Sequence, residues 1–450
     1  MPEPADSTGP VADAGGPPLR PLAPAARVAA IADAGRVVSL DAARASPWLA
    51  RFRIVPQNDD GVVTARIAIG GAPWLVAAQD ERFLGGSVGA AHGAALRALF
   101  ERACDERPAG VALLAASGGV RLHEANAGEW ALAQALRALL DARIAGIATA
   151  ALCVGDTFGG ASVLAAAADR LGLLPGVRFG VSGPKVVEAA RGRDELDARD
   201  KAVVAALYGV DARVHGGLAE ALVDDATVVR AWLANAPAVP FADAVQAQDR
   251  ASRASVARPA DALDRRFGAR AVGSGLWRSD DAWIVAPFGT RTVDAGALAA
   301  LDHALLAYVG RPGGEGPSTL LLLEDSAGHD ASVAAERAGL SRHLAHHAGV
   351  LALLRTRGVR IVGVLTGVGH SAAFFVNALQ ADLRLAVRDA RVVAMAPDAI
   401  ARVIGVAADG DDDPMLGQAV RHLQAQGGID VLIEDADPAT ILGAARAPAT

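Results

Sequence analysis

The sequence predicts an α/β protein built as two copies of one fold in tandem. Three observations point there. Apolar runs of strand composition alternate with helical segments along most of the chain. Glycine-rich turns follow the strands, at LGGSVG (84–89), SGG (117–119) and GDTFGG (155–160). The third observation is a repeat. Ser117-Gly118-Gly119 falls on Ser326-Ala327-Gly328, Gly159-Gly160-Ala161 on Ser371-Ala372-Ala373, and Pro184 on Pro397, at the nearly constant offsets 209, 212 and 213.

The elements follow in order. Residues 1–38 begin MPEPADSTGPVADAGGPP and are rich in Pro, Gly and Ala. They lack the basic and apolar regions of a signal peptide and read as a flexible lead. GVVTARIAIGGAPWLVAAQD (61–80) alternates as a β-hairpin turning at Gly70-Gly71. A glycine turn then opens a helix from about His92. A strand at 110–116 leads through SGG into a helix from Glu124 to Arg143, and a strand at 147–154 leads through GDTFGG into a small-residue helix. A strand at 177–181 runs into SGPKVVEAA, which closes a first domain spanning 39–233.

Residues 234–272 carry little strand signal, many charges and prolines at 237, 240 and 259, and read as a connector. A second domain, 273–408, resumes the pattern. It has a strand at 281–289, a helix at 294–310, strand plus turn at 318–328, and a long helix to about Arg357. Strand, glycine loop and small-residue helix follow at 359–380, then a short strand at 390–397. Residues 409–450 form a C-terminal extension.

Composition excludes several functions. Basic residues number 43 against 50 acidic, a net charge of −7, so a chain-wide electrostatic case for nucleic-acid binding fails. Two cysteines, Cys104 and Cys153, cannot form a disulfide framework, which points to a reducing, cytoplasmic setting. The most apolar stretch, Ile144 to Ala168, is broken by Asp156 and by the glycines at 155, 159 and 160, so no membrane span is expected. No Cys/His cluster has zinc spacing. Lysine occurs only at 185 and 201, so any grip on an acidic partner must come from arginine.

The chemistry lies in the turns. Small residues at the start of a helix let a ligand oxygen approach unpaired backbone N–H groups, and the same glycines also serve close packing. Two such turns at equivalent places, Phe158-Gly159-Gly160 and His370-Ser371-Ala372, can hold both oxygens of one substrate.

Those residues carry a resemblance. SPWLARFRIVPQNDDGVVTAR, LGGSVGAAHGAAL, SGGVRLHEANAG, GVSGPKVVE and ELDARDKAV with GLAEALVDD resemble the β subunit of biotin-independent malonate decarboxylase over about residues 46–230. EDSAGHD, GVLTGVGHSAAFF and VVAMAPDAIARVI are similar to its γ subunit over about 275–405. The resemblance implies a β–γ fusion with two crotonase-like domains and the site between them. It implies loss of CO2 from a malonyl thioester on an acyl carrier protein, with no tightly bound cofactor, biotin or metal. The carrier's arm would be a phosphoribosyl-dephospho-CoA or a related CoA or phosphopantetheine group. An acyl-transferring α-type subunit is a further expected partner, and homo-oligomerisation stays open. On this reading Gly159, Gly160, Ser371 and Ala372 supply backbone donors and His370 stands beside them. Gly118, Gly119, Arg121, Gly86 and Ser87 shape the substrate pocket. The chain departs from the family at Ala372, where the γ-like turn usually has Gly, and at Lys185, where a Glu is expected.

Other readings attach to single features. Gly367-Val-Gly-His370-Ser371 resembles the nucleophile elbow of a serine hydrolase, with His422 downstream. A related carboxyltransferase or acyl-CoA decarboxylase, or an inactive carrier-binding scaffold, would share the fold. His92 and His123 beside glycine turns read first as packing residues. His343, His346 and His347 read as a solvated helix face, and DGDDD (409–413) as an exposed turn. Arg121 could meet a carboxylate or pair with Glu124.

Overall fold

The structure is a computed structural model that describes residues 15–34, 37–252, 266–285, 291–308, 317–406, 410 and 413–446. In the first half, β1 (Val38–Ser39) pairs with β2 (Val62–Ile69), which turns back at Gly70-Gly71 into β3 (Ala72–Gln79). The hairpin register puts Ile67 opposite Trp74, as the alternation predicts. From β3 onward the sheet becomes parallel, through β4 (Gly110–Ser117), β5 (Ala148–Phe158), β6 (Arg170–Leu173) and β8 (Glu220–Ala221), while the short β7 (Phe179–Gly180) pairs with the end of β5. β4 is buried along its whole length, which explains its unbroken apolar run. Each parallel step crosses over through a helix, Ala90–Glu106 or Ala125–Ile144 among them.

The second half repeats this order strand for strand. β9 (Arg270–Gly273), β10 (Leu276–Arg278) and β11 (Trp283–Val285) enter antiparallel, and β12 (Thr319–Glu324), β13 (Arg360–Leu365), β15 (Leu383–Val387) and β17 (Val431–Ile433) continue in parallel. β14 (Val368–His370) and β16 (Arg391–Val393) pair as the end of β5 pairs with β7. The repeat reaches single hydrogen bonds. Val88 N–H donates to the Gly119 carbonyl at 2.8 Å, and Val293 N–H to the Gly328 carbonyl at 2.8 Å. The parallel bridge Val88–Val120 has its counterpart in Val293–His329.

Three expectations about the flanks are corrected. The lead expected through residue 38 contains the helix Pro24–Ile31, whose Val28 and Ile31 are buried, and β1 joins the sheet; residues 1–14 lie outside the described residues. The connector contains the helix Phe241–Ala251, anchored by buried Phe241 and Val245, and its last residues, 270–272, belong to β9. Burying such side chains is worth about 1.5–3 kcal/mol each, enough to hold a charged segment down. The extension after 409 supplies β17 to the second sheet, because Val431–Ile433 finds its partner on β15. Residues 253–265 of the connector lie outside the described residues.

One hydrophobic core runs through both halves, from Leu75 and Leu114 to Leu351 and Phe375. His92 sits in it beneath β3, with Gln79 Nε2 donating to its Nε2 at 3.1 Å. Burial, then the Arg121 charge, push His92 down to about 3, so it is held neutral. The unfolded chain takes up that proton near 6.5, so the contribution of His92 to stability is present above 6.5 and fades as pH falls towards 3. His329 and His343, pushed down to about 4 chiefly by burial, act in the same direction. The stabilising contribution of these three histidines is therefore expected to fall from pH 6.5 to 4. The slope should be shallower in His92→Gln, measured by unfolding across that range.

Candidate functional site

β5 ends at Phe158, and the helix Gly160–Ala166 begins immediately after a reversal at Gly159. Gly159 has φ 61° and ψ −146°, a region that side chains other than hydrogen essentially forbid. The reversal is packed against the turn that follows β4. A Cβ on Gly159 would lie 3.1 Å from the Gly119 Cα, and one on Gly119 3.0 Å from the Gly159 Cα. These glycines therefore serve backbone-to-backbone contact. Gly159 N–H donates to the Val181 carbonyl at 3.0 Å, so the expectation that it supplies a free donor is corrected. Among the described residues no hydrogen bond uses the N–H of Gly160 or Ala161.

The second turn has similar φ angles at the matching positions and different side chains. Gly328 (φ 89°) matches Gly119 (φ 97°), and Ser371 (φ 55°) matches Gly159. For serine that left-handed conformation costs about 1–2 kcal/mol. The helix Ser371–Val376 follows, and no hydrogen bond among the described residues uses the N–H of Ser371 or Ala372. His370 is held by its Nδ1–H, which donates to the Ala327 carbonyl at 3.0 Å, and burial keeps its pKa low.

The two turns meet. From the Val181 that holds Gly159, the next residue, Ser182, places its Oγ 3.1 Å from His329 Nε2, and His329 Nδ1 lies 3.3 Å from Ser371 Oγ. Ser182 N–H donates to Glu336 Oε1 at 2.6 Å, and Arg213 clamps that carboxylate at 3.1 Å while donating to the Phe179 carbonyl at 2.8 Å. On the helix side, the Phe375 ring comes within 3.3 Å of where a Gly160 Cβ would be. Sequence reading singled out neither His329 nor Ser182. The repeat held a signal for His329, a polar residue at the position of Val120.

The pocket expectations divide. A cleft of ≈ 770 Å³ opens beside the first turn, lined by Gly118, Phe158, Ser117, Asp156, Arg20 and Arg178. Gly119 lies beneath it against Gly159. Gly86 and Ser87 do not line it: Gly86 is buried under the Ala116 carbonyl, and Ser87 Oγ donates to the Leu84 carbonyl at 2.6 Å. Arg121 is corrected most sharply. It is fully buried, with Nη1 on Asp60 (2.9 Å) and Glu124 (3.0 Å) and Nη2 on the Asp60 and Ser87 carbonyls, so it is a structural clamp without access to substrate.

Other candidates fall into structural roles. His346 and His347 are buried, not solvated. His347 donates from Nδ1 to Asp302 at 2.6 Å and from Nε2 to Asn377 at 3.1 Å, and Asn377 donates to Glu324 at 2.6 Å. Burial pulls His347 down, but Asp302 and these bonds outweigh it and raise its pKa. His123 stacks edge-on against Phe52, and Lys185 is exposed on the helix Pro184–Arg191. Asp413, from the expected exposed turn, is buried and paired with Arg51 at 2.8 Å; 409 and 411–412 lie outside the described residues. His329, not His422, is the histidine hydrogen-bonded to Ser371.

Comparison with known proteins follows the same division of the chain. Residues 27–275 match the carboxyl transferase domain family, and residues 293–445 match the malonate decarboxylase gamma subunit family. The malonyl-S-ACP:biotin-protein carboxyltransferase MADC of Malonomonas rubra is 35% identical over 176 residues, covering 35% of this chain and 55% of the relative. The acetyl-coenzyme A carboxylase carboxyl transferase subunits beta/alpha of a Parafrankia species is 40% identical over 130 residues, covering 29% and 21%. The chain thus spans about half or less of the curated relatives it matches. Among solved structures, a Pseudomonas malonate decarboxylase hetero-tetramer in complex with malonate is 33% identical, covering 54% of this chain and 94% of that one, with a TM-score of 0.48.

A Gly159→Ala variant is expected to lose about 1–3 kcal/mol of stability, because the methyl adds forbidden backbone strain to a 3.1 Å contact with Gly119. Denaturant unfolding measures the loss.

Proposed function

The chain belongs to the carboxyl transferase domain family, and on that premise we propose that it releases CO2 from a malonyl thioester on an acyl carrier protein, leaving the acetyl thioester. The observation that carries the reading is the fused arrangement. A carboxyl transferase domain and a malonate decarboxylase gamma-type domain lie in one chain, and their equivalent turns meet across Val181, Ser182 and His329.

Breaking the bond from C2 to the carboxylate leaves its electron pair on the thioester as an enolate. Fixed N–H donors aimed at the thioester oxygen stabilise that charge, each typically worth about 2.7–4 kcal/mol. Gly160 and Ala161 offer such donors in the first turn, Ser371 and Ala372 in the second. One turn holds the thioester oxygen while the other holds the carboxylate out of the thioester plane, where its bond overlaps the carbonyl π system. The Cβ of Ala372 narrows the second approach. Arginine supplies the charge for the arm: Arg20 and Arg178 line the cleft beside Gly118. Arg178 Nε donates to Asp156 at 2.9 Å, which fixes the guanidinium. We assign this cleft to a CoA-like, phosphate-bearing arm, with the carrier protein and an acyl-transferring subunit as partners.

The test is CO2 release from a malonyl carrier protein in the absence of biotin, with acetyl carrier protein as the product. Carboxyl transfer only when a biotinyl acceptor is added would replace this reading with carboxyltransfer. Covalent labelling of Ser371 by a fluorophosphonate would favour a serine hydrolase. Arg20→Ala is expected to raise KM about tenfold with kcat nearly unchanged, the mark of a grip on the arm rather than on the reacting atoms.

A further inference from the structure

The repeat allows the two turns to be compared position by position, and two positions stand out. Where the first half has Gly159, the second has Ser371 at nearly the same φ, 55° against 61°. Where the first half has Val120 in its bridge to Val88, the second has His329 in its bridge to Val293. Nothing in the backbone geometry asks for a serine, since the turn is one that glycine makes without strain. Yet the two polar replacements touch each other, and the imidazole carries the contact on to Ser182 of the first half. The row Ser371 Oγ, His329 Nδ1, His329 Nε2, Ser182 Oγ has separations of 3.3 and 3.1 Å and stands beside the unpaired N–H groups of the second turn. His329 and Ser371 are both partly exposed, so the row is open at the substrate end.

We propose that Ser371, His329 and Ser182 form a proton relay that delivers the proton to C2 after CO2 has left. The proposal rests on the enolate reading above and names its missing acid. The electron pair released from the C2–carboxylate bond takes the Ser371 hydroxyl proton. Ser371 Oγ recovers a proton from His329 Nδ1–H, and His329 Nε2 takes one from the Ser182 hydroxyl. Ser182 is buried and regains its proton last, ultimately from solvent, so one solvent proton is consumed for each CO2 released. His329 changes tautomer and carries no net charge before or after. Burial, with His370 nearby, pushes it down to about 4, which keeps it neutral and suited to passing a proton between two hydroxyls. Ser371 touches the reacting carbon and is the catalytic residue; His329 and Ser182 act through it.

The test reads proton transfer separately from CO2 release. Full-length protein is incubated with acetyl carrier protein in D2O, and deuterium entering the acetyl methyl group is followed by mass spectrometry. Wild type is expected to catalyse exchange, and Ser371→Gly and His329→Gln to slow it about 100-fold. With malonyl carrier protein the same variants should lower kcat and leave KM within about twofold. Ser371→Gly keeps the backbone donors and takes a residue that the matching position already carries, so unfolding experiments should show it folding like wild type. Exchange by Ser371→Gly at the wild-type rate, or no exchange by wild type, overturns the relay. Exchange by wild type without CO2 release from malonyl carrier protein keeps the relay and overturns the decarboxylation reading.

Discussion

The contact between Gly119 and Gly159 is the constraint around which the first half is arranged. Two chain reversals, one after β4 and one after β5, approach until their Cα hydrogens fill the space between them. That closeness sets where the helix Gly160–Ala166 begins and leaves the Gly118 edge open to the cleft. It also explains the depth of structural support beneath. Arg121, Asp60 and Glu124 form a fully buried cluster that ties the turn after β4 to Ser46, Ser87 and the start of the helix at Ala90. Buried charges of this kind hold only when paired, and removing one partner typically costs about 3–5 kcal/mol. Arg121, expected to meet a substrate, is thus the clamp for the turn after β4.

The second half solves the same problem with more room. Its turn tolerates a serine because the facing glycine, Gly328, lies against the His370 ring instead of another reversal. Space that the first half closes with backbone is used here for polar side chains, and these reach across the junction. The junction itself is a shared apolar core pinned by the Arg213–Glu336 pair, with Ser182 hung from the same carboxylate. These contacts fix the two turns relative to each other, which the proposed reading requires of them. Beside the cleft the basic residues are arginines, Arg20 and Arg178, and they share its lining with Glu81 and Asp156.

Much of this was legible from residue order. The hairpin at 61–80, the strand at 110–116 and the long helix after it follow from periodicity, since alternation and helical spacing are local properties of the chain. The helix Pro24–Ile31 and β17 were missed because both depend on partners far along the chain. Their own composition, proline- and alanine-rich in one case and three residues long in the other, carries little signal.

The tandem repeat, the place of the two turns in it and the glycines that make the first of them possible are all written in residue order. A conformation with φ 61° and ψ −146° leaves almost no residue but glycine, so such a position announces itself in the chain. Which polar groups are available depends on how distant segments come together in the folded chain. Whether Arg121 meets a ligand or Asp60, whether Gly159 N–H is free or held by Val181, and which histidine stands against Ser371 all depend on long-range distances. Hydrogen bonding fails beyond about 3.5 Å, and sequence separation does not measure that distance.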